Sequence, residues 1–102
     1  MTNVFEFESY IEFLNCFMKA KKKEDPKYST TYYSRLIESS DSYLKQVLAG
    51  RRTLNVEKAI TLAEKIQLNP VQISYFVTLV MKENVSSKEL HSYFDTILYN
   101  FK

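Results

Sequence analysis

Apolar residues recur along the chain at spacings of three and four, which is the period of an amphipathic helix. Helix-ending and helix-starting residues divide this pattern into six stripes, and no stretch alternates as a strand would. The first three stripes are Tyr10, Phe13, Leu14, Phe17 and Met18, then Tyr33, Leu36 and Ile37, then Tyr43, Leu44, Val47 and Leu48. The last three are Val56, Ala59, Ile60, Ala63 and Ile66, then Ile73, Phe76, Val77 and Val80, then Leu90, Phe94, Ile97, Leu98 and Phe101. The pattern predicts an all-α domain, a compact bundle of about six helices.

The boundaries between the first three stripes carry residues that stop or cap helices. Lysines and then Pro26 follow the first stripe, and proline cannot continue a helix because it has no amide hydrogen. Ser29 or Thr30 is placed to cap the second helix, and Ser40 or Asp41 to cap the third, since each side-chain oxygen can accept from a free amide.

The later boundaries carry further signals. Gly50, the single glycine, follows the third stripe and is predicted to end that helix in a left-handed conformation. Asn55 is predicted to cap the fourth helix, and Asn69 before Pro70 to cap the fifth. Residues 86–89, Ser-Ser-Lys-Glu, have the spacing of a capping box for the last helix, at about 87–101.

Length and composition limit the class of protein. With 102 residues, 45% of them hydrophobic, the chain suits a single domain spanning 1–102 with a substantial core. It has no apolar run long enough for a membrane helix, and its first six residues lack the basic start and apolar block of a secretory signal. We therefore expect a cytoplasmic protein with no membrane partner and with Cys16 as a reduced, buried thiol.

Candidate catalytic and metal-binding groups are few. Cys16 and His91 are single residues of their types, too few for a zinc site of Cys and His ligands within this chain. His91 has no carboxylate or nucleophile at catalytic spacing, and one glycine cannot build a Gly-rich phosphate loop. The sequence predicts no enzyme, no metal site and no cofactor.

The small net charge of +2 is unevenly distributed. Residues 1–18 carry −3, residues 19–58 carry +5, and residues 59–102 are neutral. A local excess of Lys and Arg is what neutralisation of phosphates requires. The charge alone fits an ordinary solvated surface equally well. The arrangement of the helices is therefore needed to decide between a phosphate-binding surface and a solvated one.

Two short predicted helices joined by three polar residues occupy positions 29–50, the layout of a helix-turn-helix unit. In such a unit the second helix, here about 40–49, enters the major groove of double-stranded DNA. Gln46 can bond bidentately to an adenine edge, and Lys45 can reach guanine or a phosphate. The arginines after the helix suit the sugar–phosphate backbone, the threonines that open the second helix suit another phosphate, and the serine hydroxyls suit either base or backbone. The predicted DNA contacts are Thr30, Thr31, Ser40, Ser42, Lys45, Gln46, Arg51 and Arg52.

The run from Ser42 through Tyr43-Leu44-Lys45-Gln46-Val47-Leu48-Ala49-Gly50-Arg51-Arg52 resembles the end of a lambda-repressor/Cro-type helix-turn-helix. That family's pattern is Tyr-Leu-Ser-x-Val-x-x-Gly-Lys-Arg, and residues 56–68 are similar to the helix that closes its fold. The resemblance implies a lambda-repressor-like fold and DNA binding. The sequence departs from the family at the turn, where Glu38 or Ser39 replaces the usual glycine, and Ser34 stands at the usual small residue of the second helix.

The whole chain also resembles the amino-terminal half of an uncharacterised bacterial family of predicted regulators. Its members are longer and carry a further C-terminal region, which implies that this chain is either a fragment or a shortened relative. The resemblance is carried by Asn3-Val4-Phe5, Tyr10-Ile11-Glu12-Phe13-Leu14, the Lys-rich helix end, Ser42-Tyr43-Leu44-Lys45, Gly50-Arg51-Arg52-Thr53-Leu54, Ala63, Leu68-Asn69, Tyr75-Phe76 and Leu79-Val80.

Two functions of different classes follow. The first is a DNA-binding module of a bacterial transcriptional regulator. The alternative is a helical protein-interaction or dimerisation module that has lost DNA binding, in which the last helix pairs with a second copy or contacts the missing C-terminal domain. The aromatic residues Tyr32, Tyr93, Tyr99 and Phe101 favour the alternative, because Tyr and Phe are enriched at interfaces.

Overall fold

A computed structural model describes residues 2–102 and is all-α in that range, as the periodicity predicts. A short 3₁₀ turn over Val4–Glu6 precedes six helices. They are α1 (Tyr10–Glu24), α2 (Thr30–Leu36), α3 (Tyr43–Leu48), α4 (Val56–Lys65), α5 (Pro70–Asn84) and α6 (Lys88–Tyr99). The radius of gyration is 13.3 Å, the size of a compact chain of about 100 residues. No helix among the described residues is long and apolar enough to span a membrane.

The central element is α5, which packs against α1, α4, α6 and the 3₁₀ turn. Tyr75 and Phe76 of α5 are fully buried. The Tyr75 hydroxyl donates to the carbonyl of Phe7, and its ring meets Phe5 and Phe101 edge-on at centroid distances of 5.3 and 5.5 Å. Both ends of the chain are therefore held on α5, while α2 and α3 pack on the side of α1 and α4.

The predicted helix starts are confirmed at three places. Ser29 rather than Thr30 caps α2, with its hydroxyl accepting from the amide of Tyr32. Asn55 caps α4 through the amide of Lys58. Asn69 caps α5 and forms a reciprocal capping box with Gln72, with both hydrogen bonds at 2.8 Å.

The predicted caps of α3 and α6 are wrong. Neither Ser40 nor Asp41 caps α3; Ser42 precedes its first residue and makes no side-chain capping bond. The amide of Leu44 instead donates to the buried hydroxyl of Ser34 in α2, so the neighbouring helix supplies the cap. At α6 the cap is Ser87, one residue later than the capping box predicts, and the Glu89 carboxylate accepts from its hydroxyl rather than from the backbone amide of the cap residue.

Three helices end in the same left-handed turn. The second residue after each helix has a φ of 54° at Glu38, 77° at Gly50 and 66° at Gln67. In each case the next amide donates back to the carbonyl five residues earlier, as in the Schellman motif. The prediction for Gly50 is confirmed, but α2 and α4 place side-chain-bearing residues where glycine is favoured.

Replacing Glu38 with glycine is expected to raise the free energy of unfolding by about 0.5 kcal/mol. The left-handed conformation costs an L-residue roughly 1–2 kcal/mol, and glycine removes this cost. Glycine also gives the unfolded chain more conformational freedom, which offsets part of the stabilisation. Urea denaturation followed by circular dichroism measures the difference. Lys22→Gly, in the exposed interior of α1, is the control and should lose about 1 kcal/mol. A loss of that size at Glu38 would contradict the left-handed turn.

The predicted burial is wrong at four apolar positions. Cys16 is exposed on the outer side of α1, not a buried thiol. Val56 and Ile60 lie at the rim of α4, where its contacts with α2 and α5 do not reach, and each is more than a third exposed. Leu90 is 45% exposed because α6 packs mainly against α5 on one side.

Candidate nucleic-acid interface

The helices α2 and α3 are held together along a buried seam. Tyr33 and Ile37 of α2 and Leu44 and Val47 of α3 are buried, and the Ser34 hydroxyl accepts from the Leu44 amide at 3.1 Å. A small residue is needed at Ser34 because the backbone of α3 starts directly against it. The seam fixes which side of α3 faces away from the protein.

That outward side carries three of the predicted contact residues. Ser42 and Lys45 are exposed and Gln46 is half-buried, one helical turn or less apart. The Gln46 amide lies within a long hydrogen-bond distance, 3.4 Å, of the Ser42 hydroxyl, so its donor is already directed along the helix surface. Ser40 is exposed just before the helix. The structure therefore brings Ser42, Lys45 and Gln46 onto one side of α3.

A bidentate ion pair closes the turn between α2 and α3. The Arg35 guanidinium donates to both carboxylate oxygens of Asp41 at 2.8 and 2.7 Å. These bonds hold the pKa of Asp41 below its ordinary value and raise that of Arg35. Asp41, which would repel phosphates if free, has its charge matched, and Arg35 is occupied in return. Both side chains are largely exposed, so the pair orders the turn more than it stabilises the fold.

The segment after α3 is positioned by Tyr43. Its hydroxyl donates to the carbonyl of Thr53 at 3.3 Å, and the guanidinium of Arg52 lies 4.8 Å from its ring centroid, a cation–π contact. Arg51 and Arg52 line a cleft of about 280 Å³ that also includes Glu83 near the end of α5. Both arginines are exposed, and Arg52 is connected to α3 through the Tyr43 ring.

The two threonines that open α2 divide between different sides of the helix. Thr31 lies one turn before Arg35 and shares its outward side, whereas Thr30 lies one turn before the buried Ser34. Both are half-buried, and the Ser29 hydroxyl already accepts from the Tyr32 amide. The structure brings Thr31 toward the predicted surface and leaves Thr30 turned toward the core.

The free positive charge is smaller than the count of basic residues suggests. Lys58 donates from its ammonium to the carbonyls of Ile37 and Glu38 at 2.9 and 3.3 Å, which satisfies the end of α2. Together with Arg35 and with Lys21, whose ammonium pairs with Glu24 at 3.8 Å, three of the ten cations in residues 19–58 therefore serve internal bonds. Lys45, Arg51 and Arg52 have no ion-pair partner within residues 2–102.

The single histidine contacts the backbone close to its own helix. His91 is half-buried, and its Nε2 lies against the carbonyl of Val85 in the connection between α5 and α6. The described part of the chain holds no group of three or more His, Cys, Asp or Glu side chains that would bind a metal ion. Comparison of the chain with protein-family models, with curated proteins and with solved structures found no match.

Sequence reasoning missed two interactions at this surface, Arg35–Asp41 and Ser34–Leu44. Opposite charges at positions 35 and 41 on either side of a short turn are a usable signal for the first. For the second, a serine between the buried positions Tyr33 and Ile37 signals a hydroxyl that must find a partner. Neither signal identifies its partner without the angle between the helices.

Proposed function

We propose that the protein is a DNA-binding module of a bacterial transcriptional regulator, in which α2 and α3 act as a lambda-repressor-like helix-turn-helix. The observation that carries the proposal is the outward side of α3. Lys45 is exposed and Gln46 is half-buried there, the unpaired cations of Arg51 and Arg52 follow the helix, and the opposite side is packed in the core.

In this proposal α3 enters the major groove of double-stranded DNA. Gln46 offers both a donor and an acceptor to an adenine edge, and Lys45 reaches guanine or a neighbouring phosphate. Ser40, Ser42 and Thr31 supply hydroxyls to the backbone at the edge of the groove. The paired Asp41 repels phosphates less than a free carboxylate, because the Arg35 guanidinium bonded to it offsets its charge.

Binding of a short duplex is expected to weaken steeply with salt. Three unpaired cations near the helix pair, Lys45, Arg51 and Arg52, neutralise about three phosphates, which gives a slope of about −3 for log K against log salt concentration. Fluorescence anisotropy of a labelled duplex at several salt concentrations measures this slope. The same strand without its complement is the control and should bind more weakly. A flat slope, or no binding at low salt, contradicts the proposal.

The exposed side of α6 favours the second function, a helical protein-interaction or dimerisation module. Leu90 and Tyr93 lie one turn apart and are 45% and 60% exposed, which is unusual for apolar residues on one helix side. Sedimentation equilibrium over a wide concentration range separates the two functions. Self-association through α6 without duplex binding supports the second, whereas a monomer that binds duplex DNA supports the first.

A further inference from the structure

A groove between α1, α2 and the end of α4 lies outside the proposed DNA surface. It consists of two adjoining cavities, of about 220 and 470 Å³, that share Phe17, Lys21, Ile66 and Gln67. The smaller cavity adds three tyrosines and a second lysine, and the larger one adds mostly small or apolar side chains. The additional residues that the argument uses are Tyr28, Tyr32, Tyr33 and Lys65 in the smaller cavity and Ala20 and Leu68 in the larger.

Two ammonium groups line the smaller cavity. Lys21 lies about 6 Å from the ring centroids of Phe17 and Tyr28, and its nearest carboxylate oxygen, on Glu24, is 3.8 Å away. Lys65 has no ion-pair partner in the part of the chain that the structure describes. The tyrosine rings stand against one another, so their positions are fixed by packing, with Tyr32 and Tyr33 perpendicular at 5.1 Å. The cavity therefore combines two ammonium groups, one paired with Glu24 and one unpaired, with an aromatic wall.

Tyr33 supplies an unpartnered hydroxyl to this cavity. The residue is only 4% exposed, lines the cavity, and donates no hydrogen bond to any residue within 2–102. Burial, with smaller contributions from Tyr32, Tyr28 and Glu24, raises the pKa of Tyr33 to about 12. The phenol is therefore protonated at neutral pH, and its hydroxyl can donate to a group inside the cavity.

The larger cavity has a different character. Phe17, Ala20 and Leu68 give it an apolar wall, and Glu24 places a carboxylate at its border. The Glu24 charge is offset by Lys21 at 3.8 Å, and Lys65 and Tyr33 line only the smaller cavity, so an anionic group is favoured at that end. The two cavities thus differ in polarity along one continuous groove.

We infer that this groove binds a small organic anion, with its phosphate or carboxylate group between Lys21, Lys65 and the Tyr33 hydroxyl. The body of the molecule lies in the larger cavity along Phe17 and Leu68. Charge-assisted hydrogen bonds from two ammonium groups and one phenol hold the head, and apolar burial holds the body. The inference stands independently of DNA binding, because none of these residues lies on the outward side of α3.

Phenyl phosphate and benzoate are suitable probes, titrated separately against the ¹⁵N-labelled protein while amide chemical shifts are recorded. We expect saturable shifts at groove residues such as Gln67 and Tyr28. Lys21→Gln with Lys65→Gln should raise the dissociation constant at least roughly tenfold, and Tyr33→Phe should raise it several-fold, since a hydrogen bond to a charged group is lost. The probe that binds more tightly identifies phosphate or carboxylate as the preferred head.

Lys19→Gln on the exposed side of α1 is the matched control and should leave the dissociation constant unchanged. Benzyl alcohol tests whether the charge is required. Three outcomes would each overturn the inference. The amides of lysines throughout the protein shift equally, the neutral alcohol binds as tightly as the anions, or the double lysine variant binds as tightly as the unchanged protein. If Tyr33→Phe disturbs folding, Lys65→Gln alone still tests the inference, because Lys65 is exposed and its replacement should weaken binding of the anion without affecting the fold.

Discussion

Replacing Phe13 with alanine is expected to lower the free energy of unfolding by about 3–5 kcal/mol. Phe13 is completely buried, and its ring meets those of Phe7, Phe17 and Phe76 at centroid distances of 5.6 to 6.0 Å. The substitution leaves a cavity where α1, α5 and the N-terminal segment meet, and these elements are too constrained to collapse into it. Because a domain is typically stable by about 5–15 kcal/mol, the loss is a large fraction of the total. Urea denaturation followed by far-ultraviolet circular dichroism measures it.

Cys16→Ala, less than one helical turn away, is the control. Cys16 lies on the exposed side of α1, so its replacement should change the free energy of unfolding by less than about 0.5 kcal/mol. Comparable losses at Phe13 and Cys16 would mean that α1 is rotated about its axis relative to the structure. The pair thus tests the orientation of the helix as well as the cost of the cavity.

The contrast between Phe13 and Cys16 shows how far the apolar pattern predicts the fold. Spacing identifies the helices and the centre of a stripe, since Phe13, Leu44 and Phe76 are buried as predicted. It does not give the width of a stripe, because that width depends on how many helices pack beside it. Val56, Ile60 and Leu90 lie on stripes whose neighbours cover only part of the helix surface.

The start of a helix is predictable where the capping side chain and the amide it accepts from are close together in the sequence. Asn55 and Asn69 each bond an amide three residues later, so local sequence contains both groups. The start of α3 was not predictable because its partner, the Ser34 hydroxyl, belongs to another helix. The glycine-free turn at Glu38 was visible as a departure from the family pattern, but its left-handed backbone depends on the packing of α2 against α3.

The candidate site was predictable in its residue types but not in its charge. A count of basic residues from 19 to 58 treats Arg35 and Lys58 as available to bind phosphates. In the structure Arg35 binds Asp41, and Lys58 binds the carbonyls at the end of α2. Both interactions join residues on different elements, and only the folded geometry pairs them. The unpaired charge near α3 therefore reduces to Lys45, Arg51 and Arg52, which makes each arginine a large part of any phosphate contact.

Reversing both arginines, Arg51→Glu with Arg52→Glu, is expected to weaken duplex binding on the order of 100-fold at low salt. Two of the three unpaired cations are replaced by carboxylates that phosphates repel, so the salt slope should fall by about two. Anisotropy of a labelled duplex gives both quantities. Lys88→Glu with Lys102→Glu makes the same change in net charge at α6 and the chain end, and should retain most of the affinity. Equal losses in the two double variants would falsify a local contact, and an unchanged affinity in the arginine variant would exclude the helix pair as the DNA-binding surface.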